Sequence, residues 1–214
     1  MTFSATTLIE QQKRMAGKVI KADLAPTSIR TVAGVDAAFP ERGRVTRAAV
    51  VLMSYPELVW LEQASAEMPT RLPYIPGLLS FREVPAILDA LRKLSCEPDL
   101  VLCDGQGLAH PRRFGVACHL GVETSLCTIG VAKSRLCGEA EEPGRERGAT
   151  TALNERGETI GTVLRTRTGV RPVFVSIGHR ISLARATELV LNCAPRYRLP
   201  EPIRRADRLA GQRP

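Results

Sequence analysis

The sequence predicts an α/β fold, with one mixed β-sheet flanked by helices. Two patterns carry this prediction. Three strand-like segments follow one another near the N-terminus with turn residues between them, and later apolar segments alternate between helical and extended periodicity. Strands joined by short turns are antiparallel, whereas a strand–helix–strand order gives parallel neighbours linked by right-handed crossovers. A length of 214 residues fits a single domain, 1–214, with a sizeable core.

The N-terminal half is predicted to contain one helix followed by a meander. Residues 4–22 place their apolar side chains on one side of an amphipathic helix. Apolar and β-branched runs then predict strands over residues 29–39, 45–53 and 58–64. Pro56-Glu57 supplies turn chemistry before the last of these strands. Three prolines within 69–77 exclude a regular element there.

In the C-terminal half, helical and extended patterns alternate. Helices are predicted through residues 87–94, over 115–122 and over 182–193, and strands over 100–103, 128–132, 159–167 and 172–177. Residues 138–158 are rich in Gly, Glu and Arg and are expected to form a surface excursion. The basic tail (196–214) holds six Arg and two acidic residues and is expected to be partly disordered.

Composition restricts the class of protein. The formal charge of +8, from 30 basic and 22 acidic residues, favours a polyanionic partner such as nucleic acid. There is neither an apolar run of membrane-spanning length nor the apolar core of a signal peptide near the start, so a cytoplasmic protein without membrane contact is expected. The six cysteines form no Cys-x-x-Cys pair, which favours buried thiols over disulfides or a zinc site.

Two aspartates on predicted strands are candidate metal ligands. Asp104 ends an apolar strand just before Gly105, and Asp36 lies in the first strand between Val35 and Ala37. A turn aspartate and a solvent-facing edge residue are the ordinary alternatives for these two positions. Neighbouring strands lie about 4.8 Å apart, so carboxylates at matching heights could share a divalent ion.

Two further residues have both structural and chemical interpretations. Glu83 closes a Ser80-Phe81-Arg82-Glu83 capping-box pattern, but Pro85 lacks the donor that such a helix start needs. If the helix begins nearer Glu83 itself, the carboxylate is free to point at a metal. Lys133 ends a predicted strand on the same sheet edge as Asp104, and it is either solvated or orients water and offsets phosphate charge.

Two histidines and a tyrosine lie in predicted loops or at strand ends. His110 precedes two arginines, and His179 follows the strand over 172–177; either could transfer protons, bind metal or contact phosphate. Tyr74 lies in a proline-stiffened loop, where its ring could pack on the protein body or stack on a base. Phosphate-binding glycine motifs and a nucleophile elbow are absent from the sequence.

Seven motifs in order resemble the endonuclease V family, the deoxyinosine-specific nucleases of DNA repair, and above all its bacterial branch. The resemblance covers about residues 8–207. The motifs are Gly34-Val35-Asp36, Pro73-Tyr74-Ile75-Pro76-Gly77, Ser80-Phe81-Arg82-Glu83, Asp104-Gly105-x-Gly107, His110-Pro111-Arg112, Gly130-Val131-Ala132-Lys133 and Gly178-His179-Arg180.

The resemblance implies a ribonuclease H-like fold and Mg²⁺-dependent phosphodiester hydrolysis, with Mn²⁺ as a substitute. It assigns the metal to Asp36 and Asp104, with Glu83 in the same acidic cluster. Lys133 and His179 are expected to complete the catalytic group. The cut is expected at the second phosphodiester bond 3′ to deoxyinosine, leaving 5′-phosphate and 3′-hydroxyl ends.

The resemblance also implies how DNA is held. Residues Tyr74, Ile75, Pro76 and Gly77 correspond to the family's strand-separating wedge, and the inosine base is expected to be flipped into a pocket. His110 and Arg112 are expected to contact DNA near the lesion. Inosine-containing RNA is a further candidate substrate, and a monomer is expected. Gln106 departs from the family pattern, where His or Asn is common.

Two other functions fit parts of the sequence. A different ribonuclease H-like nuclease, such as a junction resolvase, would share the acidic cluster but would have no use for Tyr74 as a wedge. A non-catalytic nucleic-acid-binding module would explain the charge of +8, but it would not explain three carboxylates set among basic residues.

Overall fold

The computed structural model describes residues 4–24 and 28–212. Eight strands are present in these ranges: β1 (Thr31–Ala38), β2 (Val45–Ser54), β3 (Trp60–Pro69), β4 (Leu100–Asp104), β5 (Thr128–Ala132), β6 (Thr150–Glu155), β7 (Glu158–Leu164) and β8 (Val173–His179). The helical segments in the same ranges are α1 (Ala5–Ala16), α2 (Pro40–Gly43), α3 (Ser80–Leu91), α4 (Val116–Thr124), α5 (Leu183–Asn192) and α6 (Glu201–Ala210).

All eight strands form one mixed sheet in the order β3-β2-β1-β4-β5-β8-β7-β6. The three central strands β1, β4 and β5 are parallel to one another, and every other pair is antiparallel. The predicted meander is therefore confirmed. The prediction that the later strands are parallel is confirmed for β4 and β5 but is wrong for β7 and β8, which pair antiparallel. Because the carboxyl ends of β1, β4 and β5 meet at one edge, side chains that follow them are brought together there.

Each face of the sheet is covered by its own pair of helices. α3 and α4 pack on one face, and α5 and α6 pack on the other. Val101 and Leu102 are both fully buried, because successive side chains of β4 point to opposite, equally covered faces. None of the helices in the described ranges combines the length and the apolar character needed to cross a bilayer.

Gly34 allows α6 to lie directly on β1. A Cβ atom at this position would come within 2.1 Å of the backbone carbon of Pro202, at the start of α6. Any side chain here would push the helix away from the sheet. The glycine therefore fixes the distance between α6 and the strand that carries Asp36.

Two segments differ in kind from the sequence prediction, and the first helix ends at Ala16 instead of extending to residue 22. Within the expected surface excursion, residues 150–155 form the edge strand β6, which pairs with β7 around a turn at Arg156-Gly157. Both turn residues have positive φ, as a tight two-residue hairpin requires. More and less exposed side chains alternate along β6, so the sequence has no continuous apolar run there that would predict a strand. In the basic tail, residues 201–210 are not disordered but form α6, with Ile203, Ala206 and Ala210 buried.

Most of the cysteines are buried free thiols. Cys103, Cys118, Cys127 and Cys193 are buried, Cys137 is partly buried and Cys96 is exposed. Burial raises the pKa of the Cys118 thiol to about 12. These side chains therefore act as small apolar groups, as the sequence predicts.

Candidate active site

Asp36 and Asp104 lie side by side at the carboxyl edge of the sheet. Val35 of β1 pairs with Cys103 of β4, so the two aspartates that follow them occupy matching positions on adjacent parallel strands. Asp104 is in turn level with Val131 of β5. Both aspartates are partly buried. The two carboxylates that the sequence singled out are therefore brought together.

A third carboxylate, Asp207 of α6, joins them. Carboxylate oxygens of Asp36, Asp104 and Asp207 all lie within 4.8 Å of one another. Asp207 was not among the predicted site residues, because the basic tail was interpreted from its net charge and not from the spacing of its residues. Pro202 and the buried Ile203, Ala206 and Ala210 were the available signal, since they fit the start and the apolar face of a short amphipathic helix.

Glu83 reaches the cluster from the other face of the sheet. α3 begins at Ser80 without a side-chain cap, so the capping-box interpretation is wrong, and so is the alternative that the helix begins nearer Glu83. The Ser80 hydroxyl instead lies 3.0 Å from Nδ1 of His119. Glu83 is only 9% exposed, and the charges of Asp36 and Asp104 act on it. This placement supports the interpretation of Glu83 as a member of the acidic cluster.

Burial and mutual repulsion raise the proton affinity of the cluster. Burial, followed by the charge of Asp104, raises the pKa of Asp36 from 3.8 to about 7. Burial, followed by the charges of Asp36 and Asp104, raises the pKa of Glu83 from 4.5 to about 8. Each negative charge disfavours ionisation of the neighbouring carboxyl groups. A bound cation would therefore stabilise the ionised form of the cluster.

Lys133 balances part of this negative charge. It follows β5, and its Nζ lies 2.6 Å from Oδ2 of Asp104 and 3.0 Å from Oδ1 of Asp207. Burial lowers the pKa of Lys133, but the bonds and charges of these two aspartates outweigh burial, so the net pKa is raised. Arg198 donates from Nη2 to the Lys133 carbonyl at 2.5 Å and to that of Pro172 at 2.8 Å. Lys133 is therefore a fixed cation beside the cluster.

His179 is not near this cluster, and the expectation that it shares the catalytic edge is wrong. It ends β8, which runs antiparallel to β5, and it pairs with Thr128 at the start of β5. That position is about 10 Å along the strand from the level of Asp104. The ring is buried, and its Nδ1 accepts a hydrogen bond from the backbone of Ile20 at 3.2 Å. His179 thus connects the segment after α1 to the opposite edge of the sheet.

A cavity of about 350 Å³ opens beside the acidic cluster. Its lining includes Glu83, Asp104, Lys133, His110 and Gln106. Burial, followed by the charge of Arg112, lowers the pKa of His110 to about 4, so this ring is neutral at pH 7. A neutral imidazole can hydrogen-bond a polar ligand in the cavity, but it does not supply the positive charge that a phosphate would seek.

Gln106 connects two walls of that cavity. Its Nε2 donates to the Ser134 carbonyl at 3.0 Å, whereas its buried Oε1 has no partner among the described residues. The backbone around it is tightly packed, because a Cβ on Gly130 would come within 2.3 Å of the Gly107 nitrogen. Gln106 therefore lies in the cavity wall.

The segment 73–77, termed the wedge loop from here on, borders the same cavity. The Tyr74 side chain is 66% exposed, so its ring does not pack on the protein body. Gly77 has a φ of +78°, in the left-handed region that glycine tolerates. The guanidinium of Arg112 does not face outward: its Nη2 donates to the Gly77 carbonyl at 2.7 Å. The structure thus gives Arg112 an internal partner rather than a free surface position.

The donor set suits a hard divalent cation. Asp36, Asp104 and Asp207 supply oxygen ligands only, which Mg²⁺ prefers, and Mg²⁺ commonly uses few protein ligands together with substrate phosphate. Four carboxylates, counting Glu83, also leave negative charge beyond what Lys133 offsets. The residues present therefore fit the metal that the family resemblance implies.

This arrangement defines the class of the protein. A mixed α/β sheet with carboxylates gathered at the ends of its parallel central strands is a ribonuclease H-like nuclease fold, and solved structures of such nucleases superpose on it. The sequence model of the Endonuclease V family matches residues 13–208. The chain belongs to the endonuclease V family.

Individual relatives agree with this assignment. Endonuclease V of Nostoc punctiforme is 52% identical over 200 residues, covering 94% of this chain and 90% of the relative. The crystal structure of Endonuclease V from Streptomyces avermitilis superposes with a TM-score of 0.93 at 43% identity, covering 98% of this chain and 92% of that one. Endonuclease V of Ciona intestinalis, solved with a 24mer DNA containing an inosine followed by a ribo-adenosine, gives a TM-score of 0.84 at 29% identity, covering 96% and 95% of the two chains.

Proposed function

We propose that this protein is a Mg²⁺-dependent DNA repair endonuclease that recognises deoxyinosine and hydrolyses the second phosphodiester bond on its 3′ side. The products carry 5′-phosphate and 3′-hydroxyl ends. The observation that carries the proposal is the trio Asp36, Asp104 and Asp207, with oxygens within 4.8 Å, beside a cavity of about 350 Å³. The trio suits phosphodiester hydrolysis, and the cavity offers a place for an extruded base.

The substrate class is supported by charge and by a relative. The formal charge of +8 favours binding to a polyanion. The Ciona intestinalis relative was solved with inosine-containing DNA. The cavity lies within the size range of small-ligand pockets and offers polar groups from His110 and Gln106 for the edge of a flipped base.

In the proposed mechanism, Asp36, Asp104 and Asp207 hold the metal, and Glu83 completes the acidic cluster. Bound Mg²⁺ would act as a Lewis acid toward the scissile phosphate and would lower the pKa of water; Mn²⁺ would substitute for it. Lys133, held between Asp104 and Asp207, contributes a fixed positive charge against the negative phosphate. His179 has no part in this mechanism because it lies at the opposite edge of the sheet.

The wedge loop is proposed to separate the strands at the lesion. Tyr74 is exposed on a segment that contains two prolines, so little entropy is lost when its ring enters a duplex. The loop borders the cavity that would receive the base. Insertion of the ring would therefore fill the space that the flipped base leaves.

Matched duplexes test the proposal. One carries a single deoxyinosine and the other has deoxyadenosine in its place, and each is incubated with Mg²⁺ or EDTA. We expect cleavage only of the deoxyinosine duplex with Mg²⁺. Asp36→Ala and Asp104→Ala should abolish cleavage and largely preserve binding of the inosine duplex. Equal cleavage of inosine-free branched DNA would favour a junction resolvase, and metal-independent binding without cleavage would favour a binding module.

A further inference from the structure

Gln12 is a fully buried polar side chain that the proposed mechanism does not use. It lies on α1 and is 0% exposed. Its Nε2 donates to the Gly77 carbonyl at 3.0 Å and to the Phe114 carbonyl at 2.8 Å, and its Oε1 accepts from Nε of Arg112. The nitrogen and the oxygen of the amide therefore both bond segments that border the cavity and lie far from Gln12 in the sequence.

The Gly77 carbonyl is the point where these bonds converge. It accepts from Gln12 and also from Nη2 of Arg112, at 2.7 Å. The fit around Gly77 is tight, because a Cβ there would come within 2.4 Å of that Nη2. One side chain from α1 and one from the loop before α4 thus hold the same backbone oxygen.

These bonds fix one end of an otherwise exposed segment. Tyr74 is 66% exposed, whereas Leu78, directly after Gly77, is 2% exposed. The backbone nitrogen of Leu78 also bonds the Ile75 carbonyl at 3.0 Å, closing a turn inside the wedge loop. The direction in which Tyr74 projects therefore depends on where the Gly77 end is held.

We propose that Gln12 is a positioning residue that, together with Arg112, holds the wedge loop in its strand-separating orientation. The proposal rests on the proposed function, because it presumes that the loop opens a duplex. Gln12 is bonded to Gly77, Phe114 and Arg112 rather than to a carboxylate of the acidic cluster, and it acts on the wedge loop through Gly77 and Arg112. Its effect is therefore confined to substrates whose strands must be separated.

The test compares one deoxyinosine-containing strand as a duplex and as a single strand, each at saturating Mg²⁺. Leu has a volume similar to that of Gln, so Gln12→Leu fills the same buried space but cannot form any of the three hydrogen bonds. We expect it to lower kcat/KM on the duplex by about tenfold, the loss that corresponds to one misplaced buried hydrogen-bonding group, and to change the single strand by less than about twofold. Tyr74→Ala should give the same pattern.

Two further variants keep the test decisive. Gln11→Leu makes the same chemical change one position earlier on α1, where the side chain bonds Met15 on its own helix and no other residue in the described ranges, and both rates should equal wild type. Gln12→Met also removes the three bonds, with a flexible side chain that fits the buried space, and it should show the same selective loss on the duplex even if Gln12→Leu proves too unstable to assay.

The outcomes separate this proposal from the proposed function. Equal losses on duplex and single strand in Gln12→Leu and Gln12→Met, or an unchanged duplex rate in both, would overturn the positioning role and leave the proposed function standing. Absence of inosine-dependent cleavage by the wild-type protein would overturn the proposed function and the positioning role with it. A selective loss on the duplex in both variants supports the positioning role.

Discussion

Replacing Glu83 by Gln should stabilise the metal-free protein at alkaline pH and have much less effect near pH 5. In the folded protein, burial and the charges of Asp36 and Asp104 raise the pKa of Glu83 from 4.5 to about 8. A carboxyl whose folded-state pKa is raised favours the fold below its unfolded pKa and loses that contribution as pH rises toward the folded pKa. Above about pH 8, the ionised Glu83 side chain therefore destabilises the folded protein.

The magnitude follows from the same values. A rise from 4.5 to about 8 spans about 3.5 pH units, and about 1.4 kcal/mol per unit gives a ceiling of roughly 5 kcal/mol. Asp36 and Asp104 share the repulsion and relieve part of it by binding protons themselves, so about 2–4 kcal/mol is expected. Gln removes the charge at nearly constant volume, so this cost should disappear in the variant.

Urea unfolding in EDTA measures this effect. Free energies of unfolding are compared for wild type and Glu83→Gln at pH 5 and pH 9, with the same substitution at the exposed Glu123 as control. The difference between variant and wild type should grow by about 2–4 kcal/mol between the two pH values for Glu83 and stay constant for Glu123. A pH-independent difference for Glu83→Gln would refute the reasoning that the buried carboxyl is forced to ionise in the cluster.

Three further changes test other parts of the site. Asp207→Ala should lower cleavage of a deoxyinosine duplex by about 100-fold, since it removes one of the three carboxylates proposed to hold the metal; a rate near wild type would remove Asp207 from the proposed site. His179→Ala should leave the cleavage rate within about twofold of wild type but lower the melting temperature, because the backbone of Ile20 loses a buried acceptor; a large loss of rate without a change in stability would restore a catalytic role. Gln106→Ala should alter KM more than kcat, because the residue lines the cavity and lies outside the acidic cluster; an equal loss in kcat would contradict this placement.

The sheet and the first two carboxylates could be predicted because their signals are local. Short turns in the meander and the strand–helix–strand order fix the strand directions, and parallel strands place Asp36 and Asp104 at one edge. The same argument failed for His179. It also ends a strand, but β8 is antiparallel to β5, so its carboxyl end lies at the other edge. The direction of a strand determines which edge of the sheet its last residue reaches, and that direction depends on the pairing of the whole sheet.

Long-range contacts account for what the sequence analysis missed. Asp207 belongs to the site only because Gly34 lets α6 approach β1, and neither residue indicates this alone. Gln12 lies on an amphipathic helix, and only the fold brings Gly77 and Phe114 against its side chain. In both cases the contacting residues are far apart in the chain, and the periodicity of apolar residues does not indicate such contacts.

We propose above all that the carboxylate cluster binds the metal required to cut DNA beside deoxyinosine. This is tested by mapping the cut at single-nucleotide resolution on an end-labelled duplex with one deoxyinosine, with and without Mg²⁺. We expect one cut, at the second phosphodiester bond 3′ to the lesion, that requires Mg²⁺ and is lost in Asp104→Ala. Cutting at the same rate in EDTA, or cutting that ignores the position of the deoxyinosine, would contradict it.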